Sequence, residues 1–273
     1  MLWLSYRNWV DAPTTTFAAA VEASESLAAT NLAQRQIYKV WRTDGMSAGN
    51  TDASVVIDFG QVRAVQALAL AWPRNNDPDL YDEVPDIASD DTVRHRLDAV
   101  TAGAGALYDS GVVATGALPG YAVHAIKLDA PVSARYWQID LDAPSRATPG
   151  YLDLARAWAG PIVTPRIGFS YGDGAIWESD SIVAKASRGA SDFVETVDSL
   201  RSWNMQLDWV DDAERNAWFE FERLMTAAGQ FLAVRDDLPE GTGIMLCKQR
   251  QSAGLESASF QRSKKALRLI ESI

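Results

Sequence analysis

The chain has 273 residues, 47% of them hydrophobic and 22% charged, enough for two domains that each bury a core. A formal net charge of −11 disfavours binding to nucleic-acid phosphate, and the single cysteine excludes an intrachain disulfide. The start, MLWLSYRNWVDAP, lacks a basic region and a long apolar run, and no apolar run reaches the length of a membrane span, so neither a secretion signal nor membrane insertion is expected.

Taken in chain order, the first stretch of note is EASESLAATNLAQRQIYKVWRTDG, which has no helix or strand period. It precedes SVVIDFG (54–60), where Val55, Ile57 and Phe59 share one face and Gly60 closes the run. RAVQALALAW (63–72), HRLDAVT (95–101), AVHAIKLD (122–129) and RYWQIDLD (135–142) follow as strands. In the last, Trp137, Ile139 and Leu141 face one way, and Tyr136, Gln138, Asp140 and Asp142 the other. YLDLARAWAG (151–160) fits a final strand or a short helix. Many short strands with frequent turns indicate a β-sandwich or barrel over residues 1–160.

AGPIVTPR (159–166), with two prolines and a glycine, has linker composition and starts a second domain near residue 165. Strands are expected over 191–200 and 203–210, the second with Trp203, Met205, Leu207 and Trp209 on one buried face. The period then changes. Asp211 and Glu214 have capping-box spacing, Trp218, Phe221, Leu224 and Met225 recur helically, and Gly229 suits a stop, so a helix is expected over about 211–228. FLAVRDD (231–237), GIMLCKQR (243–250) and KALRLIESI (265–273) complete the domain as strands.

Residues that carry chemistry are few. The two histidines, His95 and His124, lie far apart in sequence, and His95 in TVRHRLD suits a surface strand position. Cys247 sits in an apolar run as a small buried hydrophobe. No zinc-ligand spacing, G-x-S-x-G or P-loop is present, so an enzyme is not expected, nor a cofactor or a metal. Residues 74–91 crowd seven carboxylates into one loop, but without EF-hand spacing, and suit a solvated acidic loop. RSKKALR (262–268) suits an edge strand guarded by basic residues.

EASESLAATNL, VWRTDG and VVIDFG, followed by ARYWQIDLD, resemble in order and spacing the discoidin-like, galactose-binding-type sandwiches, over about residues 15–160. That resemblance implies a jelly-roll β-sandwich whose loops at one end bind ligand. Trp41, Arg42, Trp72, Arg74 and Asn75, near strand ends, are the candidate carbohydrate-binding residues. It also implies that Leu32 and Trp41 plug one end of the core, while Asn31 and Arg42 tie down loop backbone. WNMQLDWVDDAERNAWFEFERLMTAAGQFLAVRD with ALRLIESI resembles the β-rich distal-tail or tail-tip domain of long-tailed bacteriophages and gene-transfer agents. This second resemblance implies a structural virion protein, made in the host cytoplasm. Six copies would form a ring between tail tube and tip hub proteins. The alternative is a carbohydrate-binding adhesion module recognising a host-surface glycan.

Overall fold

The computed structural model describes the chain except for residues 48, 74–90, 117–121, 145–149, 171–172, 179–181, 186–191, 196–198, 226–228, 240, 251–253, 260–261 and 273. The protein is mainly β, with one α-helix among the described residues. It forms two compact units. Met1–Thr164 and Phe231–Leu246 belong to the first; Pro165–Gln230 and Cys247–Ser272 belong to the second. The first cut falls between Thr164 and Pro165. The segment Phe231–Leu246 differs from a single cut, because its strand Phe231–Arg235 pairs antiparallel with Leu2–Ser5, which the sequence reading did not assign as a strand.

The first unit is built on two long antiparallel strands, Asp52–Ala71 and Val123–Asp142. They pair along their whole length, with register shifts between Asp58 and Arg63 and between Val65 and Ala67. The four strands expected here are thus two. Gly60 does not stop its strand: it sits at φ +74 inside the first irregularity, where a Cβ would lie 2.7 Å from Thr14. Bulges bend a strand and change its facing phase. Val55, Ile57 and Phe59 face inward before the bend, and Val65, Leu68 and Leu70 after it, all in one core cluster. The ribbon therefore curls around its own apolar face. Asp58 clamps the bend, accepting 2.8 and 2.9 Å hydrogen bonds from the Arg135 guanidinium.

Arg156–Gly160 extends the sheet on Ala67–Ala71, Thr16–Ala19 lies on Val55–Asp58, and Thr92–Asp98 lies on Tyr136–Asp142. The aperiodic stretch becomes short 3-10 turns at Glu25–Leu27 and Ala29–Ala33, then a two-residue strand, Trp41–Arg42, against Asp153–Leu154. Leu32 and Trp41 are fully buried in the core. Asn31 Nδ2 donates to the carbonyls of Ser26 and Val40, each at 2.8 Å, and so pins the loop as expected.

In the second unit Arg262–Glu271 pairs with Leu200–Val210, Leu255–Ser259 and Cys247–Gln249. It is an interior strand rather than the expected edge. Lys265 is fully buried and its ammonium pairs with Glu222 of the helix. The helix, Asp212–Leu224, starts on the expected capping box, with the Asp211 side chain accepting from Glu214 N at 3.0 Å. Trp218 and Phe221 pack edge to face, ring centroids 5.7 Å apart. Trp203, Met205 and Leu207 are buried as expected, but Trp209 is 39% exposed. A register shift between Leu207 and Val210 reverses the phase and turns Val210 inward in its place.

Candidate functional site

Of the residues singled out for carbohydrate, the three that are described, Trp41, Arg42 and Trp72, do not form a binding face. Trp41 is fully buried, its indole Nε1 donating to the Val21 carbonyl at 3.1 Å, and Trp72 is 3% exposed in the same core. Neither leaves a ring face for a sugar, which corrects the expectation for both. Arg42 is partly exposed, but its guanidinium is engaged by both Asp153 oxygens at 2.7 and 2.6 Å and lies 4.0 Å over the Tyr151 ring. It ties down a neighbouring side chain rather than loop backbone. Arg74 and Asn75 lie outside the described residues, as does the acidic loop apart from Asp91.

The first unit instead presents a cavity of about 490 Å³ beside the Val123–Asp142 strand. That volume falls in the range of small-molecule sites. Trp3, Val234, Leu238 and Ile244 are apolar lining residues, and Thr115, His124, Lys127 and Asp236 are polar ones. The turn after Phe231–Arg235 closes one side. Arg235 N donates to the Gly243 carbonyl at 2.7 Å, and a Cβ on Gly243 would meet the Arg235 carbonyl at 2.1 Å, so only glycine lets the two segments approach this closely. Arg235 is held by Asp237, whose carboxylate that guanidinium keeps below its ordinary range.

His124 and His95, distant in sequence, are brought together here. Their rings stack 5.3 Å apart at an interplanar angle of 2°, and His95 stacks in turn on Trp137 at 5.6 Å. His95 is fully buried, not at the surface as its basic neighbours suggested. Period 2 carried the correct signal, since His95 is in phase with the buried Val93 and Leu97. Trp137 Nε1 donates to His95 Nδ1 at 3.2 Å. His124 Nδ1 donates to the Thr115 carbonyl at 2.7 Å. Both rings are neutral: burial pushes each pKa down, with His124 adding to the effect on His95, and the Thr115 carbonyl opposing it on His124. His124 Nε2 and Thr115 Oγ1 are buried without hydrogen-bond partners. Neither atom opens to solvent, and buried polar atoms left in this state are rare.

A second concavity of about 340 Å³ is lined by Asp52, Arg94, Asp140 and Asp142. Arg94, Asp140 and Asp142 are engaged within the protein. Thr51 Oγ1 donates to Asp142 at 2.6 Å, Arg94 chelates Asp109, and Asp140 accepts from Arg96 and Gln138. Among the described residues, no group of three or more His, Cys, Asp or Glu side chains is placed to hold a metal. Cys247 is buried, and burial pushes its thiol well up, away from nucleophilic use.

No protein-family model matches the chain, and no curated protein does. Solved structures do. The lectin domain of lectinolysin, complexed with Lewis B antigen, is 17% identical, with a TM-score of 0.40 over 57% of this chain and 96% of that one. The family 32 carbohydrate-binding module of Clostridium perfringens NanJ, in complex with galactose, is 14% identical, with a TM-score of 0.38 over 60% and 100%. A GH29 fucosidase of Ruminococcus gnavus, in complex with fucose, is 12% identical, with a TM-score of 0.42 over 57% of this chain and 27% of that one. At TM-scores below 0.5 these likenesses set no correspondence between individual residues.

The histidine pair makes the first unit sensitive to mild acid. Unfolded histidines titrate near pH 6.5, whereas the folded pair resists protonation. The unfolded chain then binds more protons, so stability is intact above about pH 6.5 and falls as pH drops below it. With both residues contributing, the slope approaches about 2.7 kcal/mol per pH unit. Arg94 holds Asp109 at about 2, and Arg135 keeps Asp58 below its ordinary range, so these carboxylates titrate below this window. Urea midpoints of the wild type should fall between pH 7 and 5, and a His95→Phe/His124→Phe variant should lose most of that slope.

Proposed function

We propose that the protein is a carbohydrate-binding module, with binding rather than catalysis as its role. The observation that carries this reading is the first unit's cavity of about 490 Å³, lined by the apolar Trp3, Val234, Leu238 and Ile244 together with the polar Thr115, Lys127 and Asp236. A sugar ring combines a C–H face with a belt of hydroxyls and meets both kinds of lining at once. A glycan array and saturation-transfer NMR with D-galactose test the reading on the full chain. Binding is expected, and Ala114→Trp, which places an indole at an exposed lining position, should abolish it. A blank array together with no saturation transfer would remove the reading.

A second reading, as a ring-forming structural protein of a phage tail tip, is favoured by Trp177, Trp209 and Phe219 in the second unit, which are 49%, 39% and 54% exposed. Large aromatics in such numbers at a surface suit assembly with further copies or with tail tube and tip hub proteins. The two readings are compatible, since each uses a different unit. Hexamers in sedimentation, or the protein in virions by mass spectrometry, are expected. A monomer at high concentration that is also missing from virions overturns this second reading.

A further inference from the structure

We infer that the strand Gly174–Glu178 of the second unit is the contact for a second copy of the chain, the two strands pairing antiparallel about a two-fold axis at Ile176. Neither functional reading above is needed for it. The strand is the last of its sheet. It pairs with Leu200–Val210 on one side, and among the described residues no strand pairs with the other. Such an edge offers a row of backbone donors and acceptors, and an extended chain is what meets them. Edges are ordinarily guarded by lysine, proline, a bulge or a covering segment. This one reads GAIWE and runs in unbroken register against Leu200–Asn204. It holds neither lysine nor proline, and its one charge, Glu178, is held by Arg250. Ala175, Ile176 and Trp177 are exposed, the last two at 48% and 49%. Successive side chains alternate across a sheet, so Ile176 shows on one face and Trp177 on the other.

The occupant is read from the order of side-chain sizes. With Ile176 opposite Ile176 of the second copy, Trp177 of each lies opposite Ala175 of the other, and Glu178 opposite Gly174. Directly opposite residues of an antiparallel pair share a face. The two isoleucines therefore pack together on one face. On the other, each indole has a methyl beside it, and the strands close without a clash of bulky rings. An axis at Trp177 would set Ile176 against Glu178, and an axis at Ala175 would set Trp177 against Asp173. The axis at Ile176 keeps both large apolar side chains off a charge. The contact is isologous: it uses the edge of each copy and closes at two. Five residues a side fall short of the roughly 1,200–2,000 Å² buried by stable complexes, so the dimer dissociates on dilution. A net charge of −11 on each copy adds a repulsion that salt screens.

Sedimentation of the full chain over about 1 μM to 1 mM should show a monomer–dimer equilibrium, tighter at higher salt. Ile176→Lys and Ile176→Glu each set like charges against one another across the axis, and each should weaken the dimer by about tenfold or more. An equimolar mixture of the two should restore a one-to-one dimer, because lysine then meets glutamate. That rescue is particular to a register in which residue 176 faces itself. Ile176 is half-exposed, so neither change should move the urea midpoint. Hydrogen exchange of the wild type reads the same contact without a variant: amides within 174–178 should exchange more slowly at high than at low concentration. If either variant does not fold, that exchange decides alone. A wild type that stays monomeric, a dimer indifferent to Ile176→Lys, a mixture that associates no better than its components, or protection confined to other segments overturns the contact. Hexamers that persist in Ile176→Lys overturn it as well and leave the ring reading standing.

Discussion

Replacing Trp41 by alanine is expected to cost the first unit about 3–5 kcal/mol, the usual loss for a large aromatic removed from a core. The side chain is fully buried and belongs to the central cluster with Leu32, Ile57, Trp137 and Leu154. It also sits on a two-residue strand, with Leu154 opposite, so little backbone hydrogen bonding holds the segment once the indole is gone. The Val21 carbonyl would lose its 3.1 Å donor as well. Sheet residues border the space left and resist collapse into it, so the full cavity cost applies. Chemical denaturation followed by near-UV circular dichroism measures the effect. Trp177→Ala is the control: that residue is 49% exposed, and its loss should lie within about 0.5 kcal/mol of zero. A cost below about 1 kcal/mol at Trp41 would contradict its placement in the core.

Trp41 also marks where the sequence could be read and where it could not. Wherever a strand has one wet face, alternation announces it, as in RYWQIDLD, whose inward set Trp137, Ile139 and Leu141 is buried as expected. The helix was legible too, because its capping box and its Trp218–Phe221 stripe are local signals. Bulges were not. Gly60 reads as a stop, yet the same positive φ that ends strands also bends them, and only the partner strand decides between the two. The bulge before Val210 likewise turned Trp209 outward against a perfect alternation.

The candidate site was less legible than the fold. Trp41 and Trp72 drew attention as aromatics near strand ends, but a sandwich closes its core at those ends, and both rings serve there. The histidine pair was missed because its members lie on different strands and meet only when the ribbon curls. Their phase was readable: His124 shares a face with Ile126 and the buried Leu128, as His95 does with Val93 and Leu97. The cavity draws its walls from Trp3, the Thr115 segment and the turn after Arg235, a combination that no local pattern contains.

In the second unit the largest expected effect comes from a pair of charges. Arg201 and Glu271 are 4% and 5% exposed. Glu271 Oε1 accepts from Arg201 Nε at 3.0 Å and from a terminal guanidinium nitrogen at 2.5 Å, while Oε2 accepts from the Arg201 backbone N–H at 3.2 Å. One carboxylate thus serves both the side chain and the main chain of the same residue. Breaking a buried pair from one side typically costs about 3–5 kcal/mol, since a charge is left in a medium that solvates it poorly. The two sides should not be equal. Glu271→Gln keeps the shape but leaves a guanidinium, which cannot shed its proton. Arg201→Met leaves a carboxyl, which escapes part of the penalty by taking up a proton. Glu271→Gln should therefore fall at the high end of that range and Arg201→Met below it, and the Arg201→Met deficit should shrink as pH is lowered. The double variant Arg201→Met/Glu271→Leu removes both charges together and should recover most of the loss, because well-packed apolar replacements of buried pairs are often neutral or better. Urea denaturation of the wild type, Arg201→Met, Glu271→Leu and the double variant closes the cycle. Equal single-variant costs that simply add in the double would mean that the two charges do not depend on each other.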